Sequence, residues 1–90
     1  MFEYSIEKKL KATLKKIYKK NKRLYDAVMN KIEEIIKNPY HYKPLRYGLK
    51  GLRRVHLEKS FVLVFEIDEE NMVVRFLDLD HHDKIYRKRF

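Results

Sequence analysis

The 90-residue sequence contains no cysteine. Disulfide bonds, thiol catalysis and zinc sites built on cysteine are therefore excluded. Glycine and proline occur only twice each, which predicts few long loops and a chain that is mostly helix and strand. No stretch approaches the roughly 18 apolar residues of a membrane-spanning helix. Residues 1–9 lack the apolar core of a secretory signal, so we expect a cytoplasmic protein.

Acidic residues are also in short supply. Lys and Arg number 22 against 13 Asp and Glu, which gives a formal net charge of +9. Such an excess favours a polyanionic partner, because basic side chains attract phosphates and release their counterions. RNA is the partner that we expect. The alternatives are an acidic protein partner and a highly charged surface without a specific partner. A membrane is disfavoured because the basic helix has no Trp or Phe anchors.

The spacing of apolar residues predicts the order of the elements. Alternation predicts a first strand over residues 2–6, and spacing of three and four predicts two helices, the second ended by Pro39. A loop over residues 40–52 and strands over residues 54–58, 61–67 and 72–79 follow. The sequence thus predicts an α+β fold in one domain, residues 1–90. We expect an antiparallel two-helix hairpin that packs on one face of a mainly antiparallel sheet of about four strands, with the other face of the sheet open.

The outward face of the first predicted helix is rich in lysine. Between Lys8 and Arg23 there are nine basic residues and no acidic one. A run of charge is usually a solvated face. The mutual repulsion of these nine positive charges is nevertheless unfavourable without a polyanion nearby, which favours a nucleic-acid contact here. We expect Lys15, Lys16 and Lys19 to bind RNA phosphates.

Arg54 and His56 lie two residues apart on one predicted strand, so they share the open face of the sheet. Metal-independent RNA cleavage needs a base for the 2′-OH, an acid for the leaving 5′-oxygen and a cation for the phosphorane. Histidine, lysine, tyrosine and arginine supply these groups. His82 and Tyr86 follow the last strand and could join the pair. The alternative is that His56 is an ordinary exposed strand residue.

Taken as a whole, the chain resembles the RelE-type toxins of toxin–antitoxin modules. The resemblance lies in the lysine-rich helices ending at Asn38-Pro39, in residues 43–46, in the strands over residues 54–57 and 61–65, and in residues 81–86. It implies an mRNA endonuclease that acts in the A site of a 70S-type ribosome without metal or cofactor. It also implies a RelB-like antitoxin and a toxin–antitoxin heterotetramer.

The resemblance also assigns residues. Arg54, His56, His82 and Tyr86 match catalytic positions, and the further RNA- or phosphate-binding residues that we expect are Arg46, Arg53, His81 and Arg87. Two departures weaken the phosphate clamp: Val62 and His82 stand where the family usually has arginine. The alternatives are a ParE-like toxin that inhibits DNA gyrase, which Val62 slightly favours, and a basic RNA-binding module without catalysis.

Two further groups of residues allow more than one interpretation. Residues 78–83 are dense in aspartate and histidine, but a turn-and-capping role is favoured over a metal site because few other carboxylates are available. Tyr40, Tyr42 and Tyr47 interleave with basic residues. They are suited either to base stacking or to packing against the sheet.

Overall fold

The computed structural model describes residues 1–45 and 51–90. In chain order the elements are β1 (Glu3–Ile6), α1 (Lys8–Lys20), α2 (Lys22–Lys37), a 3₁₀ turn (Pro39–His41), β2 (Lys43–Pro44), β3 (Leu52–Leu57), β4 (Phe61–Asp68), β5 (Val73–His81) and α3 (His82–Ile85). Among these residues no helix is both long enough and apolar enough to cross a membrane.

Helices α1 and α2 form the predicted hairpin, and the turn between them is a single residue, Asn21. The side chain of Asn21 accepts a hydrogen bond from the backbone N–H of Leu24 at 3.1 Å, which caps α2. Helix α2 ends at Lys37, just before Asn38 and Pro39, as expected from the proline. The inward stripe is confirmed, and its buried members are Leu10, Leu14, Leu24, Val28, Ile32 and Ile35.

The sheet has the strand order β1-β5-β4-β3-β2. Strand β1 pairs with β5 in parallel, and all other pairs are antiparallel. The α+β fold with a mainly antiparallel sheet is therefore confirmed. The sheet has five strands rather than about four, because Lys43–Pro44, within the predicted loop, pairs with Arg53 and Arg54 of β3.

Strand β4 is buried on both faces. Leu63 and Phe65 point towards the helix hairpin, whereas Val62 and Val64 point to the other side, which we call the second face. The expectation that the second face is open was wrong. Ile85 of α3 covers part of it, together with Leu45 and Leu52. A helix of four residues is too short to leave a helical period in the sequence.

We predict that Ile85→Ala destabilises the whole domain. Ile85 is fully buried against Val62 and Val64, so the truncation leaves a cavity and should lower the free energy of unfolding by about 3 kcal/mol. Urea unfolding followed by circular dichroism measures this. Ile36→Ala, at a half-buried position of α2, is the matched control and should cost less. A loss below about 1 kcal/mol for Ile85→Ala would show that α3 does not belong to the cooperative core.

Candidate active site

Two rows of side chains cross the second face beside the buried valines. Residues directly opposite each other on paired strands point to the same face. The rows are Lys43, Arg54, Val64 and Asp78, and His56, Val62 and Asp80. The two basic groups of β3 thus lie next to each other at the side of the apolar centre, as their alternation predicts.

Helix α3 brings two more predicted residues to His56. The ring of His82 is stacked on that of His56, with centroids 5.4 Å apart and planes at 29°. The ring of Tyr86 lies 4.8 Å from that of His82, because residues four apart are neighbours on one side of a helical turn. The backbone N–H of His82 donates to the carbonyl of Ser60 at 2.7 Å. This bond connects the start of α3 to the β3–β4 turn. It thereby holds together the rings of His56, His82 and Tyr86, which we call the ring cluster.

Arg54 is half-buried beside this cluster. Its Nε is buried and makes no hydrogen bond to any residue in 1–45 or 51–90. A buried N–H without a hydrogen-bond partner costs free energy, and it is retained only when another interaction compensates that cost. A guanidinium also offers donors in the fork geometry that matches a phosphate. Arg54 is therefore suited to bind a phosphate that contacts the two histidines.

The pKa of His56 is lowered from its ordinary value of 6.5. The largest cause is the loss of hydration, and the nearby Arg54 and His82 lower the pKa further because they disfavour a second positive charge. The imidazole is therefore mainly neutral at pH 7. A neutral imidazole can accept a proton, which makes His56 suited to the role of general base.

Some of the predicted RNA-binding residues lie elsewhere. Arg53 points to the helix side of the sheet, where its Nη1 donates to the carbonyl of Tyr42 at 2.6 Å and its guanidinium lies over the ring of Tyr40. The ring of His81 packs on Phe61, with centroids 4.4 Å apart, also on the helix side. Neither residue joins the ring cluster, because each is displaced by one position in a two-residue period.

The remaining predicted RNA-binding residues differ in position. Arg87 is exposed in the C-terminal segment, residues 82–90, directly after Tyr86. Arg46 and Tyr47 lie outside the described residues. Of the other loop tyrosines, Tyr42 packs its ring edge-on against Phe65, so packing is the role that its contacts support.

Three lysines of α1, which we call the α1 lysines, form a separate surface. Lys15, Lys16 and Lys19 are exposed. They lie on the helix side of the sheet, away from the ring cluster. Lys11, Lys15 and Lys19 border a groove of about 500 Å³ between β1, α1 and α2. The apolar residues that line this groove are Ile6, Leu14, Tyr18, Tyr25 and Met29.

The aspartates of β5 are partners of lysine. Nζ of Lys88 lies 2.6 Å from Oδ2 of Asp78 and 3.0 Å from Oδ2 of Asp80. Nζ of Lys9 lies 3.4 Å from the same oxygen of Asp78. The turn-and-capping role expected for these two aspartates was wrong, since both lie within β5. Within residues 1–45 and 51–90 no three potential metal ligands cluster.

The sequence did not predict where two further basic residues of this region lie. Lys43 lies opposite Arg54 on the second face and adds an exposed cation next to it. Lys88 holds the C-terminal segment against β5. The pairing of Lys43 depends on a strand of two residues, and the contact of Lys88 joins residues ten apart in sequence. Neither leaves a periodic signal.

The sequence matches the family model described as the ParE toxin of the type II toxin–antitoxin system parDE, over residues 4–86. It is 49% identical over 89 residues to the candidate toxin RelE4 of Methanocaldococcus jannaschii, which covers 99% of this chain and 95% of that protein. An uncharacterised protein of Methanosarcina mazei is 45% identical over 86 residues, covering 96% of this chain and all of that protein.

The fold is also similar to that of solved toxins. The intact RelBE toxin–antitoxin complex of Escherichia coli matches with a TM-score of 0.77 and 15% identity, over 90% of this chain and 96% of that one. The DinJ–YafQ complex of the same organism matches with a TM-score of 0.75 and 18% identity, over 96% and 99%. At these identities the likeness establishes the fold.

We predict that the charge of Arg54 contributes to the low pKa of His56. In Arg54→Met the pKa of His56 should rise towards its ordinary value, because one neighbouring cation is gone while the stem of the side chain is retained. Titration of the histidine ring signals by NMR measures this. Arg53→Met removes the same charge from the opposite face of the sheet and should leave the pKa of His56 unchanged. Equal shifts in the two variants would contradict the local effect.

Proposed function

Since this chain belongs to the RelE/ParE superfamily and is a RelE-like toxin of a type II toxin–antitoxin system, we propose that it cleaves mRNA in the ribosomal A site and so inhibits translation. The observation that carries the proposal is the ring cluster of His56, His82 and Tyr86 beside Arg54. These are the groups that cleavage of RNA without a metal requires.

In the proposed reaction His56 takes the proton of the 2′-OH, and the 2′-oxygen attacks the adjacent phosphorus. Arg54 binds the phosphate oxygens and stabilises the negative charge of the phosphorane. The bond from phosphorus to the 5′-oxygen then breaks, and His82 gives that oxygen a proton. The products are a 2′,3′-cyclic phosphate and a 5′-OH. Tyr86, which lies against His82, stacks on the attacked nucleotide.

A ribosome suits the distribution of charge. The α1 lysines and the ring cluster lie on opposite sides of the sheet. A cavity lined by rRNA can contact the lysines while the mRNA occupies the second face. The lysines then provide affinity without sequence information, and the ring cluster provides the chemistry.

The proposed second partner is a cognate RelB-like antitoxin. The groove bordered by Lys11, Lys15 and Lys19 has an apolar lining, which suits an acidic amphipathic segment that folds on binding. Two of these lysines, Lys15 and Lys19, belong to the surface proposed to dock on the ribosome. An antitoxin in the groove would therefore compete with the ribosome for the toxin.

Inhibition of DNA gyrase is the second candidate function. It is favoured by the match to the model described for ParE toxins. Val62, where RelE-type toxins usually carry an arginine, fits this alternative as well. The ring cluster has no role in it, and for that reason we favour RNA cleavage.

We predict that brief expression of the protein produces new mRNA 5′ ends inside translated reading frames, because cleavage requires a ribosome. Mapping of 5′ ends after induction measures this, and the ends should carry a 5′-OH. Intact mRNA together with arrested DNA replication would contradict the nuclease and support the gyrase alternative.

In single-turnover cleavage assays with purified ribosomes, His56→Ala and Tyr86→Ala should slow cleavage far more than they weaken ribosome binding. The loss of a general base should cost about 10²- to 10⁴-fold for His56→Ala. The acidic limb of the wild-type rate profile should lie below pH 6.5, since His56 must be deprotonated and its pKa is lowered. His41→Ala, an exposed histidine of the 3₁₀ turn, is the matched control. An equal loss in His41→Ala would remove the specific role of His56.

We also predict that replacing Lys15, Lys16 and Lys19 together by Gln weakens ribosome binding and flattens its dependence on salt, because fewer counterions are released. The cleavage rate at saturating ribosomes should be retained. Binding titrations at several salt concentrations measure the effect. Gln at Lys31, Lys37 and Lys59 removes the same net charge from other places on the surface. If that control weakens binding equally, the α1 surface has no special role.

A further inference from the structure

A buried carboxylate of β5 is joined to the C-terminal segment by an ion pair. Asp78 is 2% exposed, and its Oδ2 lies 2.6 Å from Nζ of Lys88 and 3.4 Å from Nζ of Lys9. The side chain of Lys88 is 25% exposed, compared with 67% for that of Lys9. Lys88 is therefore the closer and less solvent-exposed partner of Asp78, and its Nζ also lies 3.0 Å from Oδ2 of Asp80.

This ion pair restricts the position of Lys88. A carboxylate withdrawn from water needs a compensating cation close by, so Lys88 cannot leave Asp78 without cost. Partial burial lowers the pKa of Lys88, but the hydrogen bonds to Asp78 and Asp80 outweigh it and the pKa is raised overall. Lys88 therefore stays charged, and its short contacts to two carboxylates of one strand hold it at one place.

The C-terminal segment is attached to the sheet at three successive places. The N–H of His82 donates to the carbonyl of Ser60, Ile85 is buried in the core of the second face, and Lys88 binds β5. Tyr86 lies between the last two attachments. The backbone N–H of Lys88 donates to the carbonyl of Ile85 at 3.2 Å, so the chain folds tightly around Tyr86.

We propose that Lys88 and Asp78 are positioning residues for the reaction: their ion pair, supported by Asp80, holds the ring of Tyr86 against His82 and thereby orders the ring cluster for cleavage. The inference rests on the proposed nuclease function for its kinetic part. Its structural part, the dependence of the Tyr86–His82 contact on Lys88, can be measured without any substrate.

The kinetic test is a double-mutant cycle on ribosomes. Lys88→Met should lower the single-turnover rate by roughly 10- to 100-fold, the effect of a small misplacement of a catalytic group, and leave ribosome affinity unchanged. In a Tyr86→Ala background the same change should cost little more, because Lys88 acts through Tyr86. Full additivity of the two losses, or an unchanged rate in Lys88→Met, would overturn the proposal.

Two controls separate the ion pair from charge and packing. Lys88→Arg keeps a cation that reaches the carboxylates and should restore most of the rate. Arg89→Met removes the same charge from an exposed neighbour that makes no ion pair among the described residues, and it should behave like the wild type. If Lys88→Arg is as slow as Lys88→Met, the ion pair is not the cause.

The substrate-free readout is the nuclear Overhauser effect between the ring protons of Tyr86 and those of His82. It should be present in the wild type and in Arg89→Met, and absent from Lys88→Met. If Lys88→Met fails to fold, the Lys88→Met/Asp78→Asn double variant removes the unpaired charge as well and should fold without this ring–ring signal. A signal that persists without the ion pair overturns the proposal. A wild type that shows the signal but cuts no mRNA refutes the proposed function alone.

Discussion

Strand β4 must be covered on both faces, and the rest of the fold follows from that requirement. Val62, Leu63, Val64 and Phe65 are all buried, so apolar side chains leave the strand in both directions. The helix hairpin covers Leu63 and Phe65. The valines need a second cover, because exposing apolar area on the central strand would forfeit much of the free energy of burial. Helix α3 supplies it with Ile85.

The same cover builds the proposed active site. Helix α3 is only four residues long, so it shields the valines but leaves the outer residues of β3 accessible. Arg54 and His56 lie at this margin, half-buried and exposed respectively. The helical turn that buries Ile85 also places His82 and Tyr86 on the side facing them. Hydrophobic packing thus helps to set the positions of the polar groups in the ring cluster.

The sequence predicts what depends on local period and misses what depends on distant partners. Alternation along β3 correctly puts Arg54 and His56 on one face, and the same alternation turns Arg53 towards the helices, away from the ring cluster. The cover of the second face was missed because one turn of helix has no detectable period. The ion pair of Lys88 with Asp78 was missed because burial, not spacing, makes an aspartate need a lysine.

Position 62 connects the packing to the proposed chemistry. RelE-type toxins usually carry an arginine there, whereas Val62 is fully buried beneath Ile85 and lies opposite His56. A guanidinium at this place would need its charge compensated in the core and would displace the contact with α3. It would also lower the pKa of His56 further. With valine, the proposed reaction relies mainly on Arg54 to bind the phosphate and on the two histidines to transfer protons. Val62 is therefore better explained as a core residue that seats α3 than as a lost catalytic group.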